Sequence, residues 1–182
     1  MNLWLRVLQL IVASFFRPRL DPVRDVSRLA FRVWPHDLDT SLHMNNGRYW
    51  TLMDLGRSDI MIRSGLWRPI FRHGWVPVVA AGQIRFRREL RLFRSFTLET
   101  RILTWSDSHV VMEHRLVSTA RDGSPILNAI ALVRAGVYDR RKKSFVPMSR
   151  LLEEVGIQEK APAASPEVEA FLRAEEALKS AA

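Results

Sequence analysis

Cysteine is absent from the 182-residue chain. Disulfides and thiolate metal sites are therefore excluded, and the redox compartment cannot be read from cysteine usage. The five histidines show no spacing of the H-E-x-x-H kind, so neither a metal nor a cofactor is expected. Lysine is scarce as well, occurring only at Lys142, Lys143, Lys160 and Lys179. The net charge of +9 and pI near 11.1 are thus carried almost wholly by arginine. Arginine forks bind phosphate and carboxylate in two-pronged fashion. A phosphate-bearing ligand, an anionic membrane or a nucleic acid would each suit that charge. Helix-turn-helix, RRM and zinc signatures are lacking, and on the strands the basic residues alternate with acids, so no nucleic-acid partner is expected.

The ends differ from the body. Leu3 to Phe16 is too short for a membrane span of about 20 residues, and Arg6 and Gln9 interrupt it. At helical spacing Leu3, Trp4, Val7, Leu8, Ile11, Val12 and Phe15 share one face, while Arg6, Gln9, Ala13 and Arg17 follow the other. Residues 1–20 therefore read as an amphipathic helix stopped by Pro18. It suits a membrane surface, with Arg6 reaching the headgroups; docking on the core or on a dimer partner, and a signal or span, are the alternatives. Residues 156–182 read as a linker and a C-terminal helix. Ser165 is placed as N-cap and Pro166 in the first turn, and the stripe Val168, Phe171 and Leu172 suits loose packing.

Between them, Ser27 to Pro35 reads as a strand and Asn46 to Gly65 as a long helix. Tyr49, Leu52, Met53, Gly56 and Ile60 lie on its apolar stripe, Asn46 is placed as its cap and Gly65 as its end. Glycine inside a helix costs about 1 kcal/mol relative to alanine, so Gly56 implies close backbone contact with a sheet. From Val76 onward the period becomes two. Four long strands follow, apolar on one parity (Ile84, Phe86, Phe96, Leu98, Ile102, Ala129, Ala131, Val133) and charged on the other (Arg85, Arg87, Glu99, Arg101, Glu113, Arg115). That pattern implies an antiparallel sheet buried mainly on one side, with the long helix as its cover.

Strand and helix are joined by "HDLDTSLHMNNGRY", His36 to Tyr49. A carboxylate just before a helix can attack an electrophilic carbonyl or activate a water. Backbone N–H groups at the helix start or in the loop Gly74 to Val78 can hold an oxyanion. Each residue also has a structural reading. Asp39 can shape an Asx-turn, Asp37 can bond loop N–H groups, His43 and Tyr49 can pack, and Asp54 can pair with Arg57.

The stretch from Asp37 to Tyr49 resembles the motif D-x-D-x-x-G-H-x-N-N-x-x-Y of hotdog acyl-CoA thioesterases of the 4-hydroxybenzoyl-CoA and YbgC-like group. Its L-H-M-N-N variant is similar to a subgroup that includes thioesterase superfamily member six. The resemblance covers roughly Val26 to Tyr138. It departs at Leu42, where the family often has glycine, and at Asn46, where YbgC-like enzymes have a functional histidine.

The resemblance implies an α+β hotdog fold over residues 21–155, a long central helix wrapped by an antiparallel sheet of five or more strands, with the extra helices at either end. It implies an acyl-CoA thioesterase working as a homodimer or tetramer. Asp39 would be nucleophile or general base, with Asn46 and His43 in the catalytic set. Asn45, Tyr49, Arg85, Arg87 and Arg88 would bind substrate, the arginines toward the CoA phosphates, with the run Arg140 to Lys143 as a further basic candidate. The expected location is cytoplasmic, peripheral on the inner face of the membrane. The alternative is a hotdog protein that binds acyl groups or lipid at a membrane surface without turnover.

Overall fold

The computed structural model describes residues 3–181, apart from the side chains of Leu3 and Phe15. These two members of the apolar helix face therefore lie outside the described side chains. In chain order the elements are α1 (Leu3–Phe16), β1 (Ser27–Arg32), a 3-10 turn (Pro35–Asp37), α2 (Asn46–Ser64), α3 (Trp67–His73), β2 (Val76–Phe86), β3 (Ser95–Trp105), β4 (Val110–Thr119), β5 (Pro125–Asp139), β6 (Ser144–Phe145), α4 (Met148–Glu153) and α5 (Pro166–Ser180). The strands form one sheet in the order β1-β3-β4-β5-β2, with β6 pairing onto β5. One strand, one long helix and four long strands is the expected order of a hotdog fold. The short elements α3, α4 and β6 carry too few residues for a periodic signal. The chain divides into two compact units, Met1–Gly65 with Ile84–Arg101 and His114–Ile130, and Leu66–Gln83 with Ile102–Glu113 and Ala131–Ala182.

In the first unit β1 pairs antiparallel with β3, from Ser27 opposite Thr100 to Arg32 opposite Ser95. On α2 the residues Tyr49, Leu52, Met53, Leu55, Gly56, Asp59 and Ile60 are buried, which is the expected stripe with an added carboxylate. A Cβ built on Gly56 would stand 2.2 Å from the Thr100 hydroxyl and 3.1 Å from Leu98. The helix backbone therefore touches β3 at this point. Gly56→Ala should destabilise the fold by about 1–3 kcal/mol through overpacking, read as a lower melting temperature. An unchanged Tm would mean that α2 and β3 can part without cost.

The cap of α2 corrects the sequence reading by one residue. Asn45, not Asn46, is the N-cap, its side-chain oxygen accepting the Gly47 N–H at 2.8 Å. Gly65 ends the helix with φ 83°, as expected. The Asp54–Arg57 pair also forms.

α1 packs against α2, with Arg6 and Leu10 turned inward and buried, while Trp4, Leu5, Leu8, Ile11, Val12 and Phe16 are exposed. The expectation that Arg6 reaches lipid headgroups is thereby corrected. Arg6 instead pairs with Asp37 at 2.6 Å, inside the unit. Just after the helix, Arg17 approaches the fully buried Asp59 at 3.4 Å. Asp59 also accepts Ser27 Oγ at 2.6 Å and Arg63 at 3.0 Å.

In the second unit Val111, Val168 and Phe171 form a buried cluster with Ala81, Leu103, Leu132 and Leu172 around it. Arg134 and Glu175 add an ion pair at 2.6 Å. The stripe of α5 is thus buried, where the sequence suggested loose packing. One-sided burial holds on β3, where it alternates, and is corrected on β4. Successive residues Val111, Met112, Glu113 and His114 are all buried on β4, because its two faces both meet protein. Asp139 organises the turn through Arg140 to Lys143, accepting the Arg141 and Lys142 N–H groups at 2.9 and 3.1 Å and the Trp75 indole N–H at 3.1 Å.

Candidate active site

The loop between β1 and α2 is built on Asp37, in the first unit. Pro35 opens the 3-10 turn, where its missing N–H costs nothing. Asp37 then folds back, its Oδ2 accepting the Trp34 N–H at 3.0 Å. The Asp37 carbonyl accepts the Asn45 N–H at 2.8 Å, so the two ends of the loop meet at its base. This is the structural reading of Asp37, and its 1 % exposed side chain fits that role.

Asp39 stands on a tight turn. Its N–H donates to the His43 carbonyl at 2.9 Å, and its own carbonyl accepts the Leu42 N–H at 3.1 Å. Its Oδ1 accepts the Ser41 N–H at 2.9 Å, an Asx-turn. The turn requires φ of 61° at Leu42. Glycine adopts that left-handed conformation without steric cost, which explains physically why glycine suits the position. The loop is stitched to the segment after β2 by the Met44 N–H donating to the Leu90 carbonyl at 2.8 Å, and by a His43–Arg91 bridge.

These constraints bring Glu89, from the segment after β2, beside Asp39, His43 and Tyr49. His43 Nδ1 is 3.6 Å from Asp39 Oδ1, and its Nε2 is 3.3 Å from Glu89 Oε2. The imidazole therefore lies between two carboxylates, all three side chains partly exposed. Tyr49 is buried beside them, its ring edge-on to Phe86 at 5.0 Å. Burial, then the negative charges of Asp39 and Glu89, push its phenol up to about 12, against a smaller opposing effect of the Leu90 N–H. Tyr49 thus stays neutral at any physiological pH and keeps a proton to donate.

Asn46 is the first residue of α2. Among the described residues neither its N–H nor its side chain has a hydrogen-bond partner. It lines a cavity of about 240 Å³ together with His43, Met44, Tyr49, Phe86, Arg87, Arg88 and Glu89. A helix start bordering a cavity attracts negative charge. Asn45 is committed to its cap and does not line this cavity.

Arg87 and Arg88 also border a neighbouring cavity of about 590 Å³ with Arg91, Arg94 and Asn128. Among the described residues neither Arg87 nor Arg88 pairs with a carboxylate. Their N–H groups both donate to the Asn128 carbonyl, at 2.8 and 3.1 Å. The Asn128 side chain accepts the Ser118 N–H at 2.9 Å and donates to the Arg88 carbonyl at 3.3 Å. Asn128 therefore holds the segment that carries Glu89. Arg85 is exposed on β2 and lines neither cavity.

Sequence reasoning missed Glu89 and Asn128. The signal for Glu89 is one acid inside the basic run from Arg85 to Arg91. Asn128 is a polar residue between Ile126 and Ile130 on one face of β5, a mark of a buried amide with partners.

A family model described as "Thioesterase-like superfamily" matches residues 33–172. Protein THEM6 from Xenopus laevis is 42% identical over 90 residues, 50% of this chain and 44% of that protein. Protein THEM6 from Danio rerio is 38% identical over 119 residues, 64% of this chain and 57% of that protein. The chain thus spans about half the length of these relatives. Among solved structures, YbaW, a probable thioesterase from Escherichia coli, aligns with TM-score 0.63 at 20% identity, over 70% of this chain and 94% of that one. A mutant 4-hydroxybenzoyl-CoA thioesterase with an aspartate replaced by asparagine, in complex with 4-hydroxybenzoyl-CoA, aligns with TM-score 0.58 at 15% identity, over 80% of this chain and 97% of that one. At such identities the structures speak for the fold alone.

Proposed function

Since the chain belongs to the thioesterase-like superfamily, we propose that it hydrolyses an acyl-CoA thioester to the free acid and CoA, with Asp39 as the reacting carboxylate. The observation that carries this is the grouping of Asp39, His43, Glu89 and neutral Tyr49 beside the unpaired start of α2. Asp39 either attacks the thioester carbonyl or takes a proton from the attacking water. Negative charge grows on the carbonyl oxygen, and the Asn46 N–H or amide and the Tyr49 hydroxyl are its donors. In the general-base route His43, held between Asp39 and Glu89, relays the water proton to the departing thiolate; in the nucleophilic route the thiolate leaves an Asp39 acyl anhydride, which water then hydrolyses to the free acid. Arg87 and Arg88 take the CoA phosphates, bidentate where both prongs reach. The substrate complex of the 4-hydroxybenzoyl-CoA thioesterase supports a ligand of this class.

Two further features belong to the reading. β2 ends the strand order and leaves an eleven-residue edge with Val79 and Phe86 exposed. Such an edge is stable when paired, so the working form is a homodimer joined there. The outer face of α1 meets an anionic lipid surface. Its Trp4 and Phe16 are 77% and 86% exposed, residues 1–20 hold arginines but no acid, and no described helix is long and apolar enough to cross a membrane. A fully buried apolar side chain of this size contributes roughly 1.5–3 kcal/mol.

Acyl-binding without turnover is the competing reading, favoured by Asn46 standing where related enzymes use histidine. A thiol-release assay on short, long and aromatic acyl-CoAs decides between them. Release from at least one is expected; tight binding of all with no release would leave only the binding role. Sedimentation of the full chain should give a dimer, and flotation with vesicles containing anionic lipid should carry it upward. A monomer, or indifference to lipid, would remove the corresponding part.

A further inference from the structure

We propose that α1 positions the active-site loop, and that Arg6 is the residue through which it acts on Asp37. This rests on the reading of Asp39 as the reacting group. Burying a charge costs several kcal/mol unless it is well paired. Amphipathicity alone would turn the apolar face of α1 inward and leave Arg6 in water. The helix does the opposite. Its arginine is 5% exposed and its partner carboxylate 1%, at 2.6 Å, across 31 residues of chain.

Asp37 has little else of comparable strength. Its Oδ1 is buried without a hydrogen bond. Arg48 Nε and His36 Nε2 come only to 3.4 and 3.5 Å of it. Among the described residues Arg6 is thus the one short charged partner of the residue that shapes the loop base. From that base the chain runs through Asp39 and His43 and returns to Asn45, whose N–H closes on the Asp37 carbonyl. The Leu38–Met44 bridge repeats the closure one step up. A shift of Asp37 therefore moves the base on which Asp39 and His43 stand. Misplacement by about 1 Å is enough to cost roughly 100-fold in rate.

Arg17 supplies the control. It ties the same N-terminal segment to a buried carboxylate, Asp59. Asp59 keeps Ser27 and Arg63 without it, and it lies 13 residues beyond Asn46 on α2, roughly 20 Å along the helix at 1.5 Å per residue. Losing Arg17 loosens the segment without touching the loop base.

The experiment compares the full chain with Arg6→Met, Arg6→Lys and Arg17→Met, by amide hydrogen exchange and by kcat and KM on the acyl-CoA that the parent hydrolyses. Arg6→Met should speed exchange across residues 36–45 by about tenfold or more beyond any change in the strands. It should lower kcat by about tenfold or more while KM changes by less than about threefold. Arg6→Lys should recover most of both losses. Arg17→Met should leave both within about twofold of the parent. If Arg6→Met does not fold, Arg6→Gln takes its place with the same expected readings. Parent-like loop exchange in the Arg6 variant overturns the proposal, as does an equal loss in Arg17→Met, which would make α1 a general stabiliser. The exchange readings stand even if no acyl-CoA is hydrolysed, so a failed thioesterase reading is told apart from a failed coupling.

Discussion

Asp39→Asn is expected to lower kcat by about 100-fold or more, the usual scale for a general acid–base group. The substitution removes charge and keeps shape. Asparagine retains a side-chain oxygen for the Ser41 N–H, so the Asx-turn survives. The backbone bonds from Asp39 to His43 and Leu42 involve no side chain and persist as well. The loss should therefore fall on kcat with the melting temperature held. Asp37→Asn should lower the melting temperature as well, with a smaller loss of kcat, about tenfold, through the loop base it shapes. It breaks the buried pair with Arg6, a change that typically costs 3–5 kcal/mol, roughly, because one charge is left uncompensated. Steady-state kinetics and thermal melts on both variants separate the roles. Near-parent turnover in Asp39→Asn, on a substrate the parent clearly hydrolyses, would sink its assignment as the reacting carboxylate.

The second large effect is in acid. His114 is fully buried on β4. Its Nδ1 lies 2.9 Å from Thr100 Oγ1 and its Nε2 3.2 Å from Arg57 Nη1. An arginine can only donate, so Nε2 accepts and Nδ1 carries the proton toward Thr100. Burial, and then the Arg57 charge, push the imidazole down to about 3. The unfolded chain titrates near pH 6.5. The folded pKa is depressed, so the unfolded state binds the extra proton in between. Stability is fully present above about pH 6.5 and falls as pH drops toward 3, by on the order of 1 kcal/mol per pH unit from this residue. Urea midpoints measured from pH 7 to 4 should decline steeply in the parent. In His114→Gln the curve should start lower and run flatter, because the titrating group is gone. Equal slopes in the two proteins would show that His114 does not govern the acid limit.

Much of this was legible in residue order because it depends on neighbours along the chain. The alternation from Ser95 to Trp105 could only be a strand, since side chains on a strand change face at every residue. The stripe through Tyr49, Leu52, Met53, Gly56 and Ile60 marked α2, and Gly56 announced the close approach to β3 that Thr100 makes. Asp39 was singled out through the spacing of its motif, and the Asp54–Arg57 pair was legible through its helical separation.

What the tertiary structure alone decided are the contacts made across long stretches of chain. Glu89 faces His43 only because the loop is stitched to the segment after β2. Asn128 reaches Arg88 across 40 residues. Most of all, the orientation of α1 follows no local rule. Hydrophobic patterning determines that it is an amphipathic helix; which side turns inward depends on the carboxylate it meets. A buried aspartate in need of a cation outweighs the burial of one apolar face, so Arg6 goes in and Trp4 stays out. Periodicity reports how a helix divides its residues between two faces, whereas the partner for each face is set by groups that the folded chain brings to it from elsewhere.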